Sequence, residues 1–336
     1  MRVRRSTLRA LALFAVLTAV VVVLPHFVSD FRAQQFAYVG IYLTALIGLN
    51  VLTGYTGQIS LGHGAFMAVG GYTTAILMAD HGVKDVWTIP IAAAVAGVAG
   101  LLFGLPAVRL SGLYLALATF AIAVATPTVI KRFDGFTGGG SGINLFGKPE
   151  LTASLTPVEI FGLKLNFNNW LYALSWTVAL IAYVLAWLLL RGRTGRAFRA
   201  VRDSETAAVS SGVNLALYKT LAFGISAAFA GAAGALFAIA TTFVNPDTFP
   251  VALSIFLLVG VVVGGLGSLA GLIAGAVFIQ FMPLWAQSVS SSAGAPTVVY
   301  GVFLILVMFV LPGGFAGLLG RLESLTRRGY DRSSGS

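Results

Sequence analysis

Hydrophobic residues in this chain come in long unbroken runs, not at every second position or along one helical stripe. A helix of about 20 apolar residues crosses a bilayer. Ten stretches qualify: 10–28, 36–52, 63–80, 88–108, 112–130, 170–190, 219–243, 250–268, 269–286 and 297–312. Lipid leaves backbone polar groups no partner but each other. The pattern therefore predicts an all-α, polytopic helix bundle. Only a Gly-rich turn divides the eighth run from the ninth. Polar residues collect in two insertions, 131–169 and 191–218, and at the two ends, 1–9 and 321–336. Residues 10–320 thus read as one transmembrane domain with a basic segment on either side. Within 191–218 a helix is expected from about Gly195 to Ser211, with Gly212 as its stop.

Basic residues set the orientation. With a cytoplasmic N-terminus, ten spans place 15 of the 21 Lys and Arg inside and six outside, and seven of the 11 acids outside. That is the positive-inside bias. Both termini and the 191–218 loop are then cytoplasmic, and 131–169 is an outer loop. One span more or fewer would export either the basic loop or the basic tail. Trp87, Trp170 and Trp285 fall near outer ends, where an amphipathic ring suits the headgroups. Trp176 and Trp187 read as packing or inner-belt residues. The first run resembles a signal peptide, but Pro25-His26-Phe27-Val28-Ser29-Asp30 has no small-x-small cleavage site, so an uncleaved helix is expected.

Composition narrows the chemistry. Hydrophobic residues make up 58% and charged residues 10%, against about a quarter charged in soluble domains. The net charge of +10 follows from membrane orientation and needs no nucleic-acid partner. With no cysteine and only His26, His63 and His81, there is no thiol nucleophile and no metal-ligand spacing. No ionisable side chain falls near a predicted bilayer centre, whereas proton-coupled carriers depend on such groups. Sodium coupling through carbonyls and hydroxyls stays open. Gly142-x4-Gly147-Lys148 imitates a phosphate loop, but Pro149 replaces its Ser or Thr and no strand-to-helix context surrounds it. Gly265-Leu266-Gly267-Ser268 lacks the βαβ unit of a dinucleotide site. The chain carries no ATPase of its own. An enzyme within the membrane has little support, since no paired acids or nucleophile–base set lie in the spans.

Glycines shape the rest. Gly267, Gly271 and Gly275 are spaced to share one helix face, as are Gly100 and Gly104, which suits close helix packing. Spans two to five and seven to ten can be related as inverted repeats, although the two halves share no clear sequence similarity.

Three segments are distinctive. Gly54-Tyr55-Thr56-Gly57-Gln58-Ile59-Ser60-Leu61-Gly62-His63-Gly64-Ala65-Phe66 breaks the helix after the second span. Its freed backbone groups must be covered by protein or line a water-filled cavity. Gln58, Ser60 and His63 either satisfy that turn or, with Gly57, Gly62 and Gly64, line a translocation path. Arg109-Leu110-Ser111-Gly112-Leu113-Tyr114-Leu115-Ala116-Leu117-Ala118-Thr119-Phe120 begins with an arginine at an inner edge, where it anchors by snorkelling. Gly195 to Val213 forms a cytoplasmic segment with Arg196, Arg199, Arg202, Asp203, Glu205, Ala207, Ala208 and Gly212. It is either a solvated basic loop or a lever.

Together, and with Tyr218-Lys219, Ser226-Ala227-Ala228-Phe229-Ala230-Gly231 and Gly264-Gly265-Leu266-Gly267-Ser268, these segments resemble the permeases of branched-chain amino-acid ABC importers, the longer of their two types, over about residues 40–320. Urea and short-amide permeases look similar. The resemblance implies a bacterial plasma-membrane complex in which a second permease completes the pathway. Two ATPase subunits would bind ATP and Mg, this chain would bind no cofactor, and an extracytoplasmic binding protein would deliver solute, its contacts lying on the 131–169 loop. It also implies an ATPase-coupling motif, Glu-Ala-Ala-x3-Gly. Ala207-Ala208-x3-Gly212 fits it, Thr206 occupies the Glu position, and Glu205 lies one residue early. The coupling residues on this reading are Arg199, Arg202, Asp203, Glu205, Ala207, Ala208 and Gly212.

Overall fold

The computed structural model describes residues 29–289 except 152–157 and 161–162, together with 298, 301, 302, 305, 306, 309 and 313–317. The expected span 10–28, the basic segments 1–9 and 321–336 and most of span 297–312 lie outside the described residues.

The other eight apolar runs are helices. They are α1 (Asp30–Asn50), α2 (His63–His81), α3 (Asp85–Ala107), α4 (Gly112–Arg132), α6 (Phe167–Arg191), α9 (Leu215–Thr241), α10 (Val251–Gly264) and α11 (Leu272–Val289). The short α5 (Asp134–Thr137) follows α4, and α7 (Arg193–Asp203) and α8 (Glu205–Ser210) follow α6. Six of the described helices are long and apolar enough to cross a membrane.

Small residues decide which helices lie inside. α9 carries the run Ser226-Ala227-Ala228-Phe229-Ala230-Gly231-Ala232-Ala233-Gly234-Ala235, and it packs against α1, α2 and α3. A Cβ on Gly231 would meet Ala96 and the Ala92 carbonyl. One on Gly234 would overlap the Met67 carbonyl, and one on Gly70 the Gly231 carbonyl. Gly100 and Gly104 both face α9 at Ala227, Phe223 and Thr220, as their spacing predicts. Without bulky side chains the backbones approach closely, which replaces the hydrophobic drive that lipid cannot supply. α3 and α4 lie further out and expose Leu102, Leu105, Leu113, Tyr114 and Leu117.

Two expectations need correction. Gly267, Gly271 and Gly275 do not share a helix face, because residues 265–271 are a break between α10 and α11. Gly265 and Gly267 take positive φ, 108° and 75°, a region that L side chains avoid and that turns the chain back. Gly271 and Gly275 still act in packing, since a Cβ on either would overlap Gly264 or Gly260 of the antiparallel α10. The Gly195–Ser211 helix is two helices, α7 and α8. Ser204 is extended between them and caps α8 by accepting a hydrogen bond from the Ala207 N–H. Serine is a strong N-cap because its oxygen satisfies an orphan amide.

The loop after α4 folds onto one end of the bundle. Its β1 (Ile143–Asn144) pairs antiparallel with β4 (Phe243–Val244), and β2 (Val158–Ile160) pairs with β3 (Leu163–Leu165). At this end Trp170 Nε1 donates to Asp85 Oδ2 at 3.2 Å. Asn166 donates to Asp30, the Asp85 N–H donates to the Glu150 carbonyl, and Lys131 lies 3.9 Å from Asp247. Four acids expected on the outer side, Asp30, Asp85, Glu150 and Asp247, thus meet here. α7 and α8 join different partners: the break after α1, the foot of α9 and the Gly267 turn.

Trp87 and Trp285 are exposed, while Trp176 is buried and donates to the Phe36 carbonyl. Trp187 carries the Arg191 guanidinium 3.8 Å above its ring. Arg109 is exposed in the turn between α3 and α4.

Candidate functional site

The break after α1 begins in the helix itself. Val51–Tyr55 form a π-helical turn, a local widening common at functional positions. The chain then leaves helical geometry until His63, with Gly57 at φ 72°. Gln58, Ser60 and His63 are buried, whereas Gly57 and Ile59 reach the surface.

Neighbouring hydroxyls satisfy the freed backbone. The Leu61 N–H donates to Thr119 Oγ1 of α4 at 2.9 Å, and the Gly64 N–H donates to Ser254 Oγ of α10 at 2.9 Å. The Gly62 N–H donates to Ser60 Oγ, the Gln58 N–H to the Leu52 carbonyl, and Thr53 Oγ1 to the Gln58 carbonyl. His63 Nε2 lies 2.9 Å from the Ala45 carbonyl and ties α2 to α1. Gln58 donates from Nε2 to Thr56 Oγ1, and its buried Oε1 has no protein partner among the described residues. Gly62 and Gly64 have no room for a side chain, because a Cβ would press on the Thr119 carbonyl or on Ser254 Oγ. Ser60 and His63 therefore stabilise the turn. Gln58 alone keeps an open acceptor.

The second break, 265–271, lies against the first. Asn50 joins them: its Oδ1 accepts from the Gly267 N–H at 2.9 Å and its Nδ2 donates to the Ser268 carbonyl at 3.3 Å. A Cβ on Gly54 would collide with Asn50 and with the Gly267 N–H.

The hairpin α7–α8 closes this region from the end opposite the 131–169 loop. Arg202 Nη1 donates to the Gly54 carbonyl at 2.9 Å, and its Nε donates to Asp203 Oδ1 at 3.2 Å. Lys219 of α9 is 4% exposed and pairs with Glu205 Oε1 at 2.7 Å. Phe198 is fully buried and packs edge-on against Tyr218. Ala208 faces inward, whereas Thr206, Ala207 and Val209 are exposed. Gly212, at φ 81°, ends α8. Arg199 is half-buried beside Tyr55. The residues expected to couple to an ATPase thus divide. Arg202, Glu205 and Ala208 grip the bundle, and Ala207, with its neighbours Thr206 and Val209, faces out.

Sequence reasoning missed Asn50, Thr119, Ser254 and the Lys219 pairing. Asn50 was detectable as the one amide in the apolar run 36–52. Thr119 lay in the distinctive segment 109–120 without a role assigned to it, and Ser254 carried no signal, since hydroxyls are ordinary in membrane helices and usually bond their own backbone.

A family model described as branched-chain amino acid transport system / permease component matches residues 32–312. The chain belongs to this family. Among its relatives in this permease family is the high-affinity branched-chain amino acid transport system permease protein LivM of Escherichia coli. It is 36% identical over 289 residues, or 82% of this chain and 68% of that protein. LivH of Salmonella typhimurium is 27% identical over 305 residues, 84% of this chain and 92% of that protein. A probable LivM of Methanocaldococcus jannaschii is 22% identical over 333 residues, 85% and 93% of the two. No solved structure matches the chain. Family membership and apolar helices together make it a multi-pass membrane transport permease, and the 36% identity to the Escherichia coli LivM, above the 27% to LivH of Salmonella typhimurium, agrees with the longer permease type.

Proposed function

We propose that this chain is a permease subunit of an ATP-binding-cassette importer for branched-chain amino acids. It would sit in a bacterial plasma membrane with ten spans and cytoplasmic termini. The observation that carries the reading is the family match over 32–312, with 36% identity to a permease named for that transport. The architecture supports it. The hairpin α7–α8 presents Thr206, Ala207 and Val209 outward and holds the bundle through Arg202 and Glu205. A surface free on one side and tied to broken spans on the other is what a partner ATPase needs to move them.

On this reading two ATPases bind ATP and Mg, a second permease of the LivH kind completes the pathway, and an extracytoplasmic binding protein docks on the 131–169 loop. The breaks at 54–64 and 265–271, which include Gly57, Gln58, Ser60, Gly62, His63 and Gly64, lie beside the path. Ser60 and His63 hold its wall.

The test is ATP-driven uptake of labelled leucine by the assembled complex in proteoliposomes. Ala207→Glu places a charge on the exposed docking face and is expected to abolish uptake. Leucine uptake by the single chain, driven by a sodium gradient without ATPases, would reject the importer. Uptake of urea or a short amide in place of leucine would correct the substrate.

A further inference from the structure

We infer that Arg202 is a positioning residue that joins the coupling hairpin to both broken spans, so that the two breaks shift as one unit when the hairpin moves. The inference rests on the importer reading above and assigns the transmission within it.

Four contacts carry the inference. The π-helical turn and the break beyond it leave the Gly54 carbonyl at a helix C-terminal end, where carbonyls lack intrahelical partners and carry partial negative charge. Arg202 Nη1 donates to that carbonyl at 2.9 Å. The side chain passes across Gly57, where a Cβ would lie 3.1 Å from Arg202 Cγ. It also reaches the other break, since a Cβ on Gly267 would lie 3.2 Å from Arg202 Nη1. Asn50 then fastens the breaks to each other through Gly267 and Ser268. A planar, multi-donor guanidinium suits this junction better than any other side chain.

The other tie, Glu205 to Lys219, runs to α9 and not to a break. Loss of Arg202 therefore leaves the hairpin on the bundle while freeing the breaks from it. The signature is uncoupling: hydrolysis continues and transport stops.

The experiment uses the full complex in proteoliposomes and two readouts. The first is the ratio of solute imported to ATP hydrolysed. The second is maleimide labelling of Ile59→Cys, an exposed position in the first break of a chain that has no cysteine of its own. Labelling is read on this subunit with and without ATP plus vanadate. In the Arg202→Ala complex, hydrolysis is expected to stay within about twofold and uptake per ATP to fall roughly tenfold, within the usual range of coupling between sites. Labelling of Ile59→Cys should lose its nucleotide dependence. Arg202→Lys, which keeps the charge but gathers its donors on a single nitrogen, should recover part of both. Equal loss of hydrolysis and uptake would make Arg202 an ATPase-docking residue and overturn the inference. So would nucleotide-dependent labelling that survives in Arg202→Ala, or unchanged coupling. If the unaltered complex hydrolyses ATP and shows the labelling change but imports no leucine, only the substrate reading fails.

Discussion

Replacing Glu205 by alanine tests how the hairpin is held. In the structure its carboxylate meets Lys219, whose side chain is 4% exposed, while that of Glu205 is 46% exposed. Removing one partner of a fully buried pair costs about 3–5 kcal/mol. Exposed pairs contribute only about 0–1 kcal/mol. Half the pair is screened by water here, so Glu205→Ala should cost about 2 kcal/mol, between those limits. The loss comes chiefly from an ammonium left buried without its counter-charge. Lys219→Met instead removes the buried charge and leaves a carboxylate that water can reach, at under about 1 kcal/mol. The double variant should lie close to Lys219→Met. The pair ties a peripheral hairpin, so the loss should appear as local opening. Amides of 193–210 should exchange with deuterium about 30-fold faster in Glu205→Ala, at tenfold per 1.4 kcal/mol. Amides in the middle of α9 should not change. Equal effects of the two single variants would refute the reasoning, because they would show that the buried lysine needs no compensation.

Gly70→Ala forces a Cβ onto the Gly231 carbonyl, so α2 and α9 must separate, at about 1–3 kcal/mol as for other overpacked sites; detergent unfolding followed by the chain's five tryptophans checks it. Ser254→Ala leaves the Gly64 N–H without its acceptor, which should cost about 1–3 kcal/mol as an unmet buried donor, and Ser254→Thr should recover most of that loss in the same assay. Ala208→Glu buries a carboxylate and should block assembly of the hairpin, whereas Ala207→Glu should leave its fold intact and affect only partner binding, as read by co-purification with the ATPases.

Much of the fold was legible because hydrophobic run length is a one-dimensional property. Eight expected spans became helices near their expected limits, and the Gly-Gln-Ile-Ser-Leu-Gly-His-Gly string identified its break through glycines that no regular helix favours. The errors arose where spacing was taken for structure. Gly267, Gly271 and Gly275 have helical spacing, yet Gly265 and Gly267 reverse the chain. The helix expected over Gly195–Ser211 breaks at Ser204, whose capping oxygen stabilises a new helix start more than a continued turn.

The sequence by itself determined that lipid is the solvent for this chain, where its long apolar runs fall and which family it joins. Each of these depends on residue type and order alone. Only the tertiary structure decided that Asn50 clasps a turn more than two hundred residues away, that Arg202 reaches Gly54 and that Glu205 answers Lys219. Those partners are chosen by proximity, and proximity is set when small residues let α9 sink among its neighbours and bring the two breaks side by side.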